Sequence, residues 1–276
     1  MAPARRPPGG RRRGGSDLGA RVLAAIPAAV FAIFIIAQGG LVFALGLLAL
    51  GFVCLHELFE LTAGVRPVKL AAFLAFTALV LAALYGDQFQ VLLIEVAAVP
   101  VMFALVLRVR GGEGPTLSMA VTLLALWWIG LPFAHAILLR ELPHGDGIIV
   151  DVLVGTFLGD TGAYFAGRMF GTRPLAPRIS PNKTVEGLLG GILVAIASVW
   201  FAGLYQDWLS GGNALLLGLG VALTAPIGDL FESVVKRDAG VKDTGRLFGA
   251  HGGALDRLDA VLFTVVVGYY VWAAIL

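Results

Sequence analysis

The segment A-L-L-L-G-L-G-V-A-L-T-A-P-I-G-D-L-F-E-S-V-V (214–235) runs into K-R-D-A-G-V-K-D-T-G-R-L-F-G-A-H-G-G-A-L-D-R (236–257). That stretch runs in turn into L-D-A-V-L-F-T-V-V-V-G-Y-Y-V-W-A-A-I-L (258–276). Two apolar runs, each close to the roughly 20 residues that cross a bilayer as a helix, bracket a loop dense in charge and glycine. The alternation predicts helices in lipid joined at a chemically equipped polar face. Working outward, similar runs recur near 18–37, 41–61, 69–86, 89–107, 117–139, 148–167 and 186–206. At 58% hydrophobic and 14% charged, with a mean hydropathy of +0.89, the 276-residue chain is no soluble domain.

The expected fold is all-α: a polytopic membrane protein with about nine transmembrane helices. Residues 18–276 are expected to form a single integral-membrane catalytic domain. Lipid excludes open sheet edges, and the runs lack the alternation of barrel strands. Residues 1–17 carry Arg5, Arg6, Arg11, Arg12 and Arg13 among Pro and Gly. They cannot bury a core and are expected to form a disordered basic tail. Such a tail fixes orientation, and anionic lipid attracts it by about 1 kcal/mol per basic residue. Cys54, the one cysteine, forms no intrachain disulfide and reads as a packing residue.

Nine spans would place Arg140 alone on one side of the membrane and the other nineteen of the twenty Lys and Arg residues on the opposite side. The positive-inside rule then gives a cytoplasmic N-terminus, an outer C-terminus, and loops 168–185 and 236–257 on the cytoplasmic face of the inner membrane.

Asp160, Asp229 and Glu232 lie within or at the inner ends of apolar runs. A carboxylate at mid-span costs about 2.5–3.5 kcal/mol on an insertion scale, so each needs a polar cavity, a cation or a partner. Asp229, Glu232, Ser233 and Lys236 share one helical face, as do Asp160, Tyr164 and Arg168. Asp256 and Asp259 start the last helix, where an N-terminus favours anions. This set suits a hard cation shared with phosphate. It equally suits ion pairs with Arg168, Lys236 and Arg257 that only hold helices together. Gly252 and Gly253 favour the first reading, because they let backbone amides approach an anion closely.

The second polar segment ends S-P-N-K-T-V-E-G (180–187). Thr184 reads as an N-cap with Glu186 in the first turn, and Lys183 precedes it, placed to meet a phosphate. His56-Glu57-Leu58-Phe59-Glu60 lacks the second histidine of a metal-binding helix and reads as a helix with a buried polar pair. His135 reads as a hydrogen-bonded interior residue.

From Ser233 to Asp259 the chain resembles the phosphatidate cytidylyltransferases, the CDP-diacylglycerol synthases. Their signature, S-x-x-K-R-x4-K-D-x-G-x2-[LIF]-[PG]-x-H-G-G-x-x-D-R-x-D, is matched throughout. Upstream elements of the family also occur: D-T-G-A-Y-x-x-G-R (160–168), S-P-N-K-T-x-E-G (180–187) and G-D-L-x-E-S (228–233). The N-terminal half is similar only as membrane helices. The resemblance implies that the phosphate oxygen of phosphatidate attacks the α-phosphorus of CTP, giving CDP-diacylglycerol and pyrophosphate. It further implies that Asp229 and Asp256, with Asp160 as a third carboxylate, hold Mg2+ or another divalent cation. Lys183, Lys236, Arg237, Lys242 and Arg257 would neutralise phosphates, and Asp229, Asp256, Lys236, Arg237 and Lys242 form the implied catalytic set. His251, Gly252 and Gly253 would shape the nucleotide loop beside Ser180, Asn182, Thr184 and Asp243, and Arg168 would take the lipid phosphate. Membrane lipids and a homodimer are the further partners implied; no nucleic acid is expected.

Three other classes compete. A CTP-dependent polyprenol kinase would release CDP, and the H-G-G-x-x-D-R-x-D ending argues against it. A CDP-alcohol phosphotransferase needs D-G-x2-A-R-x8-G-x3-D-x3-D, which is absent. A transporter would place its acids near mid-bilayer at a repeat interface, whereas these charges gather at one face.

Overall fold

The computed structural model describes residues 16–110, 114–245 and 252–276. The chain divides into two units, Met1–Phe34 and Ile35–Leu276. Helix α1 spans Ser16–Gln38, α2 Gly40–Leu61, α3 Lys69–Tyr85 and α4 Gln88–Arg110. Helix α5 (Pro115–Ala125) continues through a π-turn at Leu126–Gly130 into α6 (Leu131–Glu141). Helices α7 (Gly145–Phe170), α8 (Val185–Gly203), α9 (Gly211–Asp238) and α10 (Leu255–Ile275) complete the set. The basic segment 1–17 falls outside the described residues except for Ser16 and Asp17, where α1 begins.

Among the described residues, seven segments are long and apolar enough to cross a membrane: Gly40–Leu61, Gln88–Arg108, Pro115–Glu141, Gly145–Phe170, Val185–Gly203, Gly211–Asp238 and Leu255–Ile275. Two shorter apolar helices, Ile26–Gln38 and Lys69–Tyr85, coincide with the runs at 18–37 and 69–86. The all-α polytopic reading therefore holds, with seven full-length spans where about nine were expected.

One departure from all-α matters to the site. Pro174–Ala176 (β1) and Ser180–Thr184 (β2) pair antiparallel, Pro174 opposite Thr184 and Ala176 opposite Ser180. Pro174, Pro177 and Pro181 lack the amide hydrogen a helix would use, so the segment joining α7 to α8 folds as a short hairpin.

Buried residues of the second unit form one apolar core. Leu55, Leu58 and Phe59 of α2 meet Phe76 and Leu79 of α3, all fully buried. Phe76 packs edge-on against Phe133 of α6 at 5.9 Å between ring centroids. On α4 the buried face (Val91, Glu95, Ala98, Met102) lies beside an exposed apolar one (Leu92, Val96, Phe103). An apolar face this large would drive association in water; lipid solvates it, and the protein is an integral membrane protein. His135 is buried as expected, its Nδ1 2.9 Å from the Leu131 carbonyl and its Nε2 3.1 Å from the Tyr270 hydroxyl.

Helices α7 and α8 meet along small residues. A Cβ on Gly191 would lie 2.8 Å from the Ala163 Cβ and 3.0 Å from the Gly159 carbonyl oxygen. Without a hydrophobic driving force in lipid, such close backbone approach supplies the packing.

Candidate active site

Four pieces of chain bring polar groups to one cleft of about 730 Å³. The last turns of α7 carry Asp160, Tyr164 and Arg168 four residues apart, hence on one face. Arg168 Nη1 donates to the Tyr164 hydroxyl at 2.9 Å.

The hairpin comes next, tied at both ends. At its base Glu186 accepts from Thr172 N (3.1 Å), Thr172 Oγ1 (3.0 Å), Arg173 N (3.2 Å) and Arg173 Nε (2.8 Å). Thr184 caps α8 by accepting from Gly187 N at 3.1 Å, as its sequence position predicts. At the tip Arg237 Nε donates to the Ile179 carbonyl at 3.1 Å. Between these anchors Lys183 forms an ion pair with Asp229 of α9.

One and two turns further along α9 stand Glu232 and Lys236. The Lys236 ammonium joins Glu232 and, at 2.8 Å, Asp256 Oδ1 of α10. The other Asp256 oxygen accepts from Thr244 N (2.8 Å), Thr244 Oγ1 (2.9 Å) and Gly253 N (2.8 Å). Gly252 has φ +81°, and a Cβ there would collide with the Asp256 carboxylate. The paired glycines therefore let backbone wrap the chain's own aspartate, where the sequence suggested an approach to a bound anion.

The cleft brings together ten of the residues singled out in sequence: Asp160, Arg168, Asn182, Lys183, Thr184, Asp229, Lys236, Asp243, Asp256 and Arg257. Asp259 joins them. Ser180, Arg237 and Lys242 are not in the lining; Ser180 opens β2, Arg237 serves the hairpin tip, and Lys242 is exposed. Gly252 and Gly253 are buried beside Asp256. His251 lies outside the described residues. Away from the charges the lining turns small and apolar with Gly191, Ala195, Ala222 and Ala225.

Sequence reasoning missed two participants. Thr244 occupies an unspecified position of the signature. Glu57 sits on α2, far away in sequence, and its carboxylate accepts from the backbone of Ala254 and Leu255. Its signal was a glutamate in an apolar run, read only as half of a buried pair. Glu60, one turn further along α2, pairs with Lys69 in an exposed salt bridge at 2.8 Å.

A divalent cation suits this cleft chemically. Its lining sets five carboxylates (Asp160, Asp229, Asp243, Asp256, Asp259) against four cations (Arg168, Lys183, Lys236, Arg257). Among the described residues it holds no surplus of positive charge with which to meet a polyanion. The donors are hard oxygens of the kind Mg2+ takes. Among the described residues no three of these groups are gathered at ligand spacing; Asp229 is paired with Lys183 and Asp256 with Lys236.

A cleft that combines converging lysines, arginines and aspartates with a small-residue floor, carried on helices apolar enough to cross a membrane, has the make-up of a membrane enzyme's site. The sequence profile of the cytidylyltransferase family matches residues 19–275, and the chain belongs to that family. The phosphatidate cytidylyltransferase of Bacillus subtilis (strain 168) is 33% identical over 269 residues, covering 93% of this chain and 98% of that one. That of Staphylococcus epidermidis (strain ATCC 12228 / FDA PCI 1200) is 32% identical over 254 residues, 89% of this chain and 95% of that one. A phosphatidate cytidylyltransferase of Pseudomonas aeruginosa is 39% identical over 169 residues, 59% of this chain and 60% of that one.

Proposed function

We propose that this protein transfers the cytidylyl group of CTP to phosphatidate, forming CDP-diacylglycerol and pyrophosphate for phospholipid synthesis. The observation that carries the reading is the cleft itself: one cavity offers phosphate-binding cations at one end and an apolar floor at the other. A nucleotide and a lipid headgroup can meet there.

A phosphatidate oxygen forms the new bond to the α-phosphorus of CTP as the bond from that phosphorus to the bridging oxygen of the pyrophosphate breaks. The nucleophile is already ionised, so the enzyme's task is to screen charge and hold the partners in line. Lys183 and Lys236, released from their aspartates, turn to the triphosphate, and Arg257 adds a third cation. Arg168, beside Tyr164 at the rim, takes the lipid phosphate. Asp229, Asp256 and Asp160 would hold a divalent cation, which when bound supplies further charge stabilisation at the triphosphate. Arg237 acts less directly, through the hairpin that carries Lys183.

Incubation of the purified protein with phosphatidate and CTP labelled at either phosphate tests the reaction. The α-label is expected in lipid, with pyrophosphate released. Transfer of γ-label to lipid with CDP as co-product would identify a kinase instead.

The proposal includes a homodimer in the inner membrane, with the cleft facing the cytoplasm. With the two shorter apolar helices counted as crossings beside the seven full-length ones, nineteen of the twenty basic residues fall on one side, which supports that orientation. Cys54 is a fully buried free thiol, so it is expected to escape an impermeant reagent and single cysteines can be read in an otherwise unaltered chain. Asp146→Cys is expected to label from outside and Arg178→Cys from the cytoplasm. Labelling of both from one side would overturn the arrangement.

A further inference from the structure

We propose that Glu57 and Thr244 form a positioning pair that holds Asp256 and the start of α10 in register with the cleft. The role rests on the cytidylyl-transfer reading. Glu57 Oε1 accepts from Ala254 N at 2.9 Å, while Oε2 accepts from Leu255 N at 2.9 Å and from Thr244 Oγ1 at 3.1 Å. Glu57 and Thr244 are each only 6% exposed.

The first amides of a helix have no partner within it, and the helix dipole favours a negative charge there. A residue adjacent in the chain ordinarily supplies that partner. Here the N-cap is Ala254, which makes no side-chain cap, and the carboxylate comes from α2. Room for it is made by glycine: a Cβ on Gly253 or on Gly245 would run into Glu57.

Thr244 transmits this hold to the cleft. Its hydroxyl lies 3.1 Å from Glu57 Oε2 and 2.9 Å from Asp256 Oδ2, and its amide donates to Asp256 at 2.8 Å. One hydroxyl hydrogen lies between two carboxylates, so the threonine sets the spacing of both. Asp256 in turn holds Lys236. A line of contacts therefore runs from α2 through Thr244 and α10 to α9. Asp256 and Lys236 line the cleft; Glu57 and Thr244 do not. They act through Asp256, and neither belongs to the matched signature positions.

The test uses the full chain in detergent with phosphatidate micelles. Glu57→Gln and Thr244→Val are each expected to lower kcat/KM for CTP by roughly 10- to 100-fold, the usual cost of losing a group that orients a working residue. The KM for phosphatidate is expected to stay put. Thr244→Ser, which keeps the hydroxyl, is expected to restore most of the activity, whereas a packing role would favour valine. Because the two residues act as a unit, the double variant is expected to be no worse than the weaker single one. Wild-type kcat/KM in Thr244→Val, multiplied losses in the double variant, or equal losses toward both substrates would overturn the pairing.

Amide exchange at residues 254 and 255 provides a readout independent of turnover. It is expected to quicken in Glu57→Gln while other helix starts stay protected, and unchanged exchange would overturn the hold on α10. If the wild type makes no CDP-diacylglycerol, the cytidylyl reading fails alone, and exchange still decides whether Glu57 anchors the helix.

Discussion

Asp229→Asn is expected to abolish cytidylyl transfer, by at least roughly 100-fold, in a protein that melts like the wild type. The carboxylate lies open to the cleft and, among the described residues, is held by one ion pair, to Lys183. The carboxamide keeps its size, loses its charge and leaves Lys183 within reach of solvent, so little stability is at stake. Asp256→Asn is expected to lose activity as well, but to melt lower. Its carboxylate gathers Lys236, both polar groups of Thr244 and the Gly253 amide. An amide NH2 turned toward such donors leaves a buried group unsatisfied, at about 1–3 kcal/mol. Activity and thermal melting measured together, with and without Mg2+, separate the two. A cation that binds only the folded protein raises the wild-type melting temperature; that rise should vanish in Asp229→Asn. Normal turnover and normal Mg2+ dependence in Asp229→Asn would exclude it as a ligand.

Gly191→Val is expected to destabilise the protein by about 1–3 kcal/mol, the usual range for overpacking a tight contact, and to lower activity with it. The new side chain would start 2.8 Å from the Ala163 Cβ and 3.0 Å from the Gly159 oxygen. Helices α7 and α8 would be forced apart, carrying Asp160 and Arg168 away from the hairpin. Gly212→Val is the control: a Cβ there meets nothing within 4 Å, and no comparable loss is expected. Equal melting of the two variants would show that the close α7–α8 contact carries no stability.

Much of the architecture was legible because lipid imposes one simple demand. Each run long enough to cross must satisfy its own backbone, which leaves helix as the answer. The N-cap at Thr184 was legible for a similar reason, since a cap is a contact over three residues. The segment around 174–184 was harder. Its prolines ruled out helix, but nothing local announced that Glu186 and Arg237 would tie a hairpin over α9.

The charged residues of 160–168, 180–187 and 228–259 could be named from sequence because they stand densely in an otherwise apolar chain. Their partners could not. Whether Asp256 faces Lys236 or a cation depends on how α9 and α10 meet, and both readings satisfied the helical spacing. Glu57 is the sharpest case. Within its own run it is one of two glutamates between Phe52 and Leu61, with no local partner to mark it. The amides that donate to its carboxylate lie 197 and 198 residues away.

The sequence by itself determined the class of solvent, the helical content and the residue types available for phosphate chemistry, because hydropathy and short-range spacing are local properties of the chain. Only the tertiary structure decided which cation holds which aspartate, why glycines stand beside Asp256 and Glu57, and that α2 supports a site built from the other half. Hydrogen bonds and close contacts act over about 3 Å, and which groups come that near is settled when the helices pack.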